Sequence, residues 1–346
     1  MTQPVSQAPA SYMDTCPKYD IALWETHATE DDCSFIIRTD NGHAFYCETS
    51  PSSIDPPSPN SKVDEDEDED FYIEDACDWL STPFRPLIAS LAPGTLNEAG
   101  SGLPTLGQYL FPRYFVCSLA ATDEKLHAYE RASREHHWGS PVLLVGDDLL
   151  ADLESWTRSF HPSQVHICYE NPEDILIKPP RQVLVHGDDG SATECFFKPL
   201  NLSFRQAHAQ SELATHIRLA RAHILDLPQA FICRLYGVVR DGNSVAGMLF
   251  AWIENKGALS EARAEQSPVA LRRRWTTQIS GTVQILHDRN IVWGDAKADN
   301  VLIDMNDDAW VIDFGGSYTL GWVDKEIAGT VDGDMQGLSK IMSILS

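Results

Sequence analysis

The sequence predicts an α+β chain, a small antiparallel sheet with one helix followed by a mostly helical part. Three observations carry this. Short strand-like runs crowd residues 165–200 and 233–252, with a helical pattern between them at about 205–225. A second long helical pattern follows at about 268–288, and a short hairpin closes the series after residue 300. The front of the chain is polar, proline-dotted and acidic, so it reads as an extension rather than the main core.

A chain of 346 residues is too long for one compact core and suits two. Apolar residues at 43% and charged residues at 22% match an ordered globular protein. Acidic residues outnumber basic ones by 51 to 26, which argues against a nucleic-acid backbone or an anionic membrane as partner. The imbalance is concentrated: residues 1–100 hold 20 acids and 4 bases. The first twenty residues have neither a basic nor an apolar signal region, and no stretch approaches 18 uninterrupted apolar residues. Eight scattered cysteines without a C-x-x-C pair read as free thiols. A soluble, cytoplasmic protein is expected.

Along the chain, residues 1–20 read as a loose terminus. From Ile21 to Glu48 the pattern is strand-like, with SFIIRT and HAFYCE flanking the hairpin signal Asn41-Gly42. Residues 50–70, with their prolines and the run Asp64 to Asp70, read as a solvated linker. Trp79, Leu80, Phe84, Leu87 and Leu91 keep helical spacing, with Pro83 and Pro86 as expected interruptions, and 105–120 reads as a strand. Two amphipathic pieces cross 122–160. No motif that carries chemistry appears before residue 160. Beyond it, strands are expected at 165–169, 181–186 and 193–200, then the helix with Leu213, Ile217, Ala220 and Ile224 on one face. Strands at 233–239 and 244–252 surround the turn Asp241-Gly242-Asn243.

The chemistry lies between 293 and 316. Between Asn300 and Asp313 two short apolar strands, VLI and WVI, are joined by the polar turn Asn306-Asp307-Asp308. A hairpin that short returns the chain and brings Asp313 beside Asn300. A carboxylate and a carboxamide oxygen make a hard-oxygen site suited to Mg2+. Asp295 is left to face an acceptor hydroxyl, and Lys297 to neutralise charge on a transferring phosphoryl group.

These residues resemble the protein-kinase-like superfamily. WGDAKADN is similar to the catalytic loop D-x-K-x-x-N, and DFG to the metal-binding motif. The resemblance implies a two-lobe fold that uses ATP and Mg2+, with Asp295, Lys297, Asn300 and Asp313 as catalytic residues and Asn300 and Asp313 on the metal. It implies that Lys198, at the end of CFFKP, contacts the α- and β-phosphates, and that Glu212 pairs with it, with Glu194 as the alternative. Ala251 and Ile253, in LFAWIENKG, fall where a hinge binds adenine through backbone groups. More narrowly, WGDAKADNVLID with DFGGSYT, GWVD and DGD resembles a group of fungal kinase-like proteins, and Gly294 the His-Gly-Asp of aminoglycoside and other small-molecule phosphotransferases.

There are departures. Residues 171–185 carry prolines where a glycine-rich phosphate loop belongs, and Trp293-Gly294 stands in place of His-Arg. No Ala-Pro-Glu follows, and Asp334 opens what reads as a helix supporting the catalytic loop. His136-His137 and the pair His208/His216 lack metal-ligand spacing, and Arg272-Arg273-Arg274 reads as a solvated face or an anion contact. The expected division is 1–70 as extension and linker, 71–160 as a mixed segment packing on the kinase-like part, 161–254 as the sheet lobe and 255–346 as a short helical lobe. The expected function is Mg·ATP-dependent phosphotransfer to an unidentified acceptor, a small molecule before a protein, with no evident protein partner. The alternatives are adenylyl, acyl or aminoacyl transfer on the same fold, or a non-catalytic nucleotide-binding scaffold.

Overall fold

The computed structural model describes residues 16–26, 33–49, 79, 81–94, 102–122, 125–136, 138, 140–169, 171, 174–187, 190–200, 206–316 and 318–346. The acidic run 64–70 lies outside them. The fold is α+β and separates into two compact units, one of residues 1–137 and 166–181, the other of 138–165 and 182–346. The expected segment 71–160 is therefore divided between them, and 161–254 is split at 165/166 and 181/182.

In the first unit, β1 (Tyr19–Thr26), β2 (Cys33–Thr39), β3 (His43–Thr49), β4 (Arg113–Thr122) and β5 (Lys125–Glu130) form one sheet in that order. β2 and β3 make the expected hairpin, whose turn needs Gly42 at φ 81°. β3 and β4 run parallel, so a crossover joins them, and it contains α1 (Arg85–Leu91). Phe84 and Ile88 bury themselves against Phe35, Phe45 and Phe115 of the sheet. The prolines do not interrupt this segment. Pro83 and Pro86 stand in the first turns of a 3-10 turn and of α1, where a missing N–H costs nothing. The stretch 105–120 holds the expected strand in β4, but opens with a helix, α2 (Leu106–Leu110), because Thr105 and Gln108 form a reciprocal capping box.

The second unit starts with β6 (Leu143–Leu144), α3 (Asp147–Trp156) and β7 (Arg158–Phe160). The chain then passes β8 (Val165–Cys168) and returns through β9 (Gln182–His186) and β10 (Ala192–Pro199). α4 (Gln206–Arg221), β11 (Leu235–Asp241), β12 (Ser244–Ala251) and β13 (Asn255–Ala258) follow. Within this unit the main sheet runs β7-β11-β12-β10-β9, with β6 also on β12.

The helical part holds α5 (Glu261–Glu265), α6 (Val269–Asp288) and α7 (Val331–Leu345), with β14 (Val301–Asp304) and β15 (Ala309–Val311) as the expected hairpin. α6 buries Trp275, Ile279, Val283 and Leu286, a stripe at the 3.6-residue period. α7 is capped by the Thr330 hydroxyl on the Gly333 N–H and carries Asp332 and Asp334 in its first turn, where the helix dipole favours them. One hydrophobic core joins Leu213 and Ile217 of α4, Val238 and Met248 of the sheet, and Trp275, Trp293 and Phe314 of the helical part. Among the described residues no helix is long and apolar enough to cross a membrane.

Candidate active site

The hairpin after residue 300 fixes the first half of the site. Val301 pairs with Val311, and the Ile312 N–H donates to the Asn300 carbonyl at 3.0 Å, so Asn300 and Asp313 leave the two strands side by side. The turn is held from inside. One carboxylate oxygen of Asp304 accepts the N–H groups of Asn306 and Asp308, both at 2.8 Å, and the other accepts the indole N–H of Trp310. Asp313 itself sits at φ 60°, a left-handed conformation that Asp tolerates better than most residues.

The loop that carries Asp295 is suspended from α7. Asp334, buried at 2% exposure, accepts the N–H of Trp293 at 2.7 Å, that of Gly294 at 2.8 Å, and a hydrogen bond with the His287 ring at 2.9 Å. The Trp293 indole N–H donates to the Ile312 carbonyl at 2.9 Å, tying this loop to the strand that delivers Asp313. Gly294 stands at φ 90°, and a Cβ there would lie 3.0 Å from the Gly316 Cα, so only glycine lets the two loops approach.

Asp295 is 4% exposed and heavily bonded. Its Oδ2 accepts from Asn300 Nδ2 at 2.9 Å and pairs with Lys297 Nζ at 2.8 Å. Its Oδ1 accepts from the Thr319 hydroxyl at 3.1 Å, and Lys297 Nζ donates to that same hydroxyl at 2.9 Å. Thr319 closes the DFGGSYT stretch of the narrower resemblance, but the motif reading gives it no role. It lies 24 residues from Asp295 in a stretch with no element signal, and nothing in the spacing points to it.

Lys198 supplies the second half. It is the penultimate residue of β10, opposite Met248 of β12, and its ammonium group bonds Glu212 at 2.7 Å and Asp313 Oδ1 at 2.9 Å. Of the two carboxylates weighed for this lysine, Glu212 meets it, whereas the Glu194 side chain accepts from Gln182. Burial works against the charged form of Lys198, but the carboxylates of Glu212 and Asp313 outweigh it and hold the pKa above the ordinary lysine value. Burial also opposes the charged form of Asp313, and there Lys198 and the Gly315 N–H prevail and hold the pKa low. Glu212, deeper, is pushed up by burial despite Lys198.

At the end of β12, the Ala251 N–H donates to the Arg234 carbonyl at 2.9 Å, and the Ile253 carbonyl accepts from Asn255 Nδ2 at 2.7 Å. One turn beyond Glu212, His216 packs its ring on Phe250 and Phe314 with neither nitrogen hydrogen-bonded. Burial drives its pKa down to about 3. In the arginine triplet Arg273 and Arg274 are exposed and Arg274 meets the Asp308 carboxylate, as expected of a solvated face with an anion contact, while Arg272 donates to the Ser346 carbonyl.

A family model described as protein kinase domain matches residues 193–331. This segment is a protein-kinase-like domain. Over 103 residues the chain is 28% identical to cAMP-dependent protein kinase type 3 of Saccharomyces cerevisiae, covering 30% of this chain and 26% of that one. Over 129 residues it is 29% identical to serine/threonine-protein kinase kin-29 of Caenorhabditis elegans, covering 36% and 15%. The chain thus spans about a quarter or less of these relatives' lengths. The kinase-like domain holds all eight residues singled out from the sequence, from Lys198 to Asp313, and leaves β6, α3 and β7 outside the match.

Proposed function

We propose that the kinase-like domain transfers the γ-phosphoryl group of ATP to a hydroxyl of an acceptor. The observation that carries this is Lys198, bonded at once to Glu212 and Asp313, while Asp295 gathers Lys297, Asn300 and Thr319 across the same hairpin. Lys198 grips the α- and β-phosphates, and Glu212 keeps its ammonium group in place. Asp295 orients the acceptor hydroxyl and takes its proton. The hydroxyl oxygen forms the new P–O bond as the bond to the β,γ-bridging oxygen breaks, and ADP leaves. Lys297 balances charge on the phosphoryl group in flight. Positioning and fixed charge supply most of the acceleration.

The donor set fits Mg2+. Asn300 spends its Nδ2 on Asp295, leaving its carboxamide oxygen for a cation, and Asp313 is held ionised beside it. When bound there, Mg2+ would neutralise phosphate charge. With the Ala251 N–H and the Ile253 carbonyl engaged, we assign adenine recognition to the Ala251 carbonyl and the Ile253 N–H.

We assign the acceptor to small molecules, on the Gly294-Asp295 form of the loop, and the site of action to the cytoplasm. The test is mass spectrometry of the protein with Mg·ATP and a panel of hydroxyl and amine acceptors. ADP with a phosphorylated acceptor is expected. AMP or pyrophosphate would mean that the fold serves another transfer, and nucleotide binding without turnover would leave a scaffold.

A further inference from the structure

We propose that α3, with β6 and β7, is a built-in brace that holds α4, and with it Glu212, against Lys198, and that Asp152 and Arg221 are positioning residues for that pair. This rests on the reading of Lys198 as the phosphate-gripping cation. Glu212 is 3% exposed and lies near a second carboxylate, Asp313. Desolvation and like charge both favour swinging its helix outward, and a buried ion pair barely offsets its own desolvation. Packing must therefore hold α4 in place.

The brace is anchored to the sheet at both ends. Leu143 and Leu144 pair with Val245 and Ser244 of β12, and the Asn243 amide donates to Asp147 at the start of α3 at 2.7 Å. At the other end β7 runs parallel to β11, with Phe160 beside Val239. The Phe160 ring lies 2.7 Å from where a Cβ on Gly237 would stand, so the sheet is shaped to receive it. Arg240 of β11 bonds Ser159 of β7 at 2.8 Å and also reaches Glu154 of α3. Between these anchors α3 contributes Leu149, Leu150, the fully buried Leu153 and Trp156 to the core that contains Leu213 and Ile217 of α4. Leu213 directly follows Glu212, and Ile217 lies one turn on. Asp152 of α3 meets Arg221 in the last turn of α4 at 2.6 Å. A helix fixed to the sheet thus shares a core with the helix that must not move. The brace itself, β6, α3 and β7, lies outside the segment that matches the kinase model.

The test is hydrogen exchange by mass spectrometry on the full chain, with nucleotide binding measured alongside. Arg221→Glu sets two carboxylates against each other. It is expected to speed exchange of the α4 amides about fivefold and weaken Mg·ATP binding by a similar factor, with α6 unchanged. The swapped pair Asp152→Lys/Arg221→Glu should restore both. Leu153→Ala, which removes packing rather than charge, should loosen α4 further. The brace is overturned if α4 exchange is unchanged in both Arg221→Glu and Leu153→Ala, and the role of the ion pair if the swap restores nothing. A protein that binds no nucleotide, yet loosens and recovers at α4 as described, would support the brace and sink the phosphate-gripping role of Lys198.

Discussion

The Thr319 hydroxyl donates to Asp295 at 3.1 Å and receives from Lys297 at 2.9 Å, so one side chain keeps the proposed base and its cation in register. The contact joins a loop after the second hairpin strand to a loop before the first.

Thr319→Ala deletes two hydrogen bonds to charged groups, each worth about 1.5–3 kcal/mol. Turnover should fall about tenfold to a hundredfold, with the melting temperature lowered by a few degrees and the fold retained. Thr319→Ser should keep most of the activity. Steady-state kinetics on the two variants decides it, and equal rates would show that the hydroxyl only packs.

Lys198→Met leaves Glu212 buried beside Asp313 with no cation between them. Breaking a buried pair from one side costs about 3–5 kcal/mol. Denaturant melts should show that loss, together with weakened nucleotide binding. Glu212→Gln in the same chain should recover part of the stability but none of the affinity, because only the repulsion is relieved.

If Asn300 and Asp313 hold the cation, ATP affinity should rise steeply with Mg2+ in the wild type. In Asp313→Ala that dependence should vanish. Calorimetry at several Mg2+ concentrations measures it, and equal ATP binding by the wild type with and without Mg2+ would remove the metal assignment.

His216 gives a prediction with a fixed sign. Its pKa is about 3 in the fold, against about 6.5 in an unfolded chain. Between those values the unfolded chain binds the extra proton, so stability rises with pH through that window and is lost as the pH falls from 6.5 toward 3. His216→Leu should flatten the curve, closing a gap of about 2 kcal/mol between pH 7.5 and pH 5. Urea midpoints at the two pH values provide the check. Parallel curves for the two proteins would mean that the ring is already solvated.

The sequence by itself determined the elements whose signals are local. The Asn41-Gly42 turn, the stripe of α6 and the short hairpin between Asn300 and Asp313 are legible because period, turn chemistry and chain length act over a few residues. The same short range placed Asp295, Lys297, Asn300 and Asp313 near one another. The tertiary structure decided what depends on distant partners. Glu212 rather than Glu194 meets Lys198 because α4 packs Leu213 and Ile217 into the core, a choice that spacing along the chain leaves open. Pro83 and Pro86 begin helical turns instead of breaking them, because the crossover between two parallel strands needs a helix there. Residues 138–165 join the kinase-like sheet because strand pairing follows exposed edges and shared apolar surface, neither of which a linear pattern records. Thr319 reaches Asp295 for the same reason: a hydrogen bond is fixed by where two loops end in space, and by nothing in the chain between two positions 24 apart.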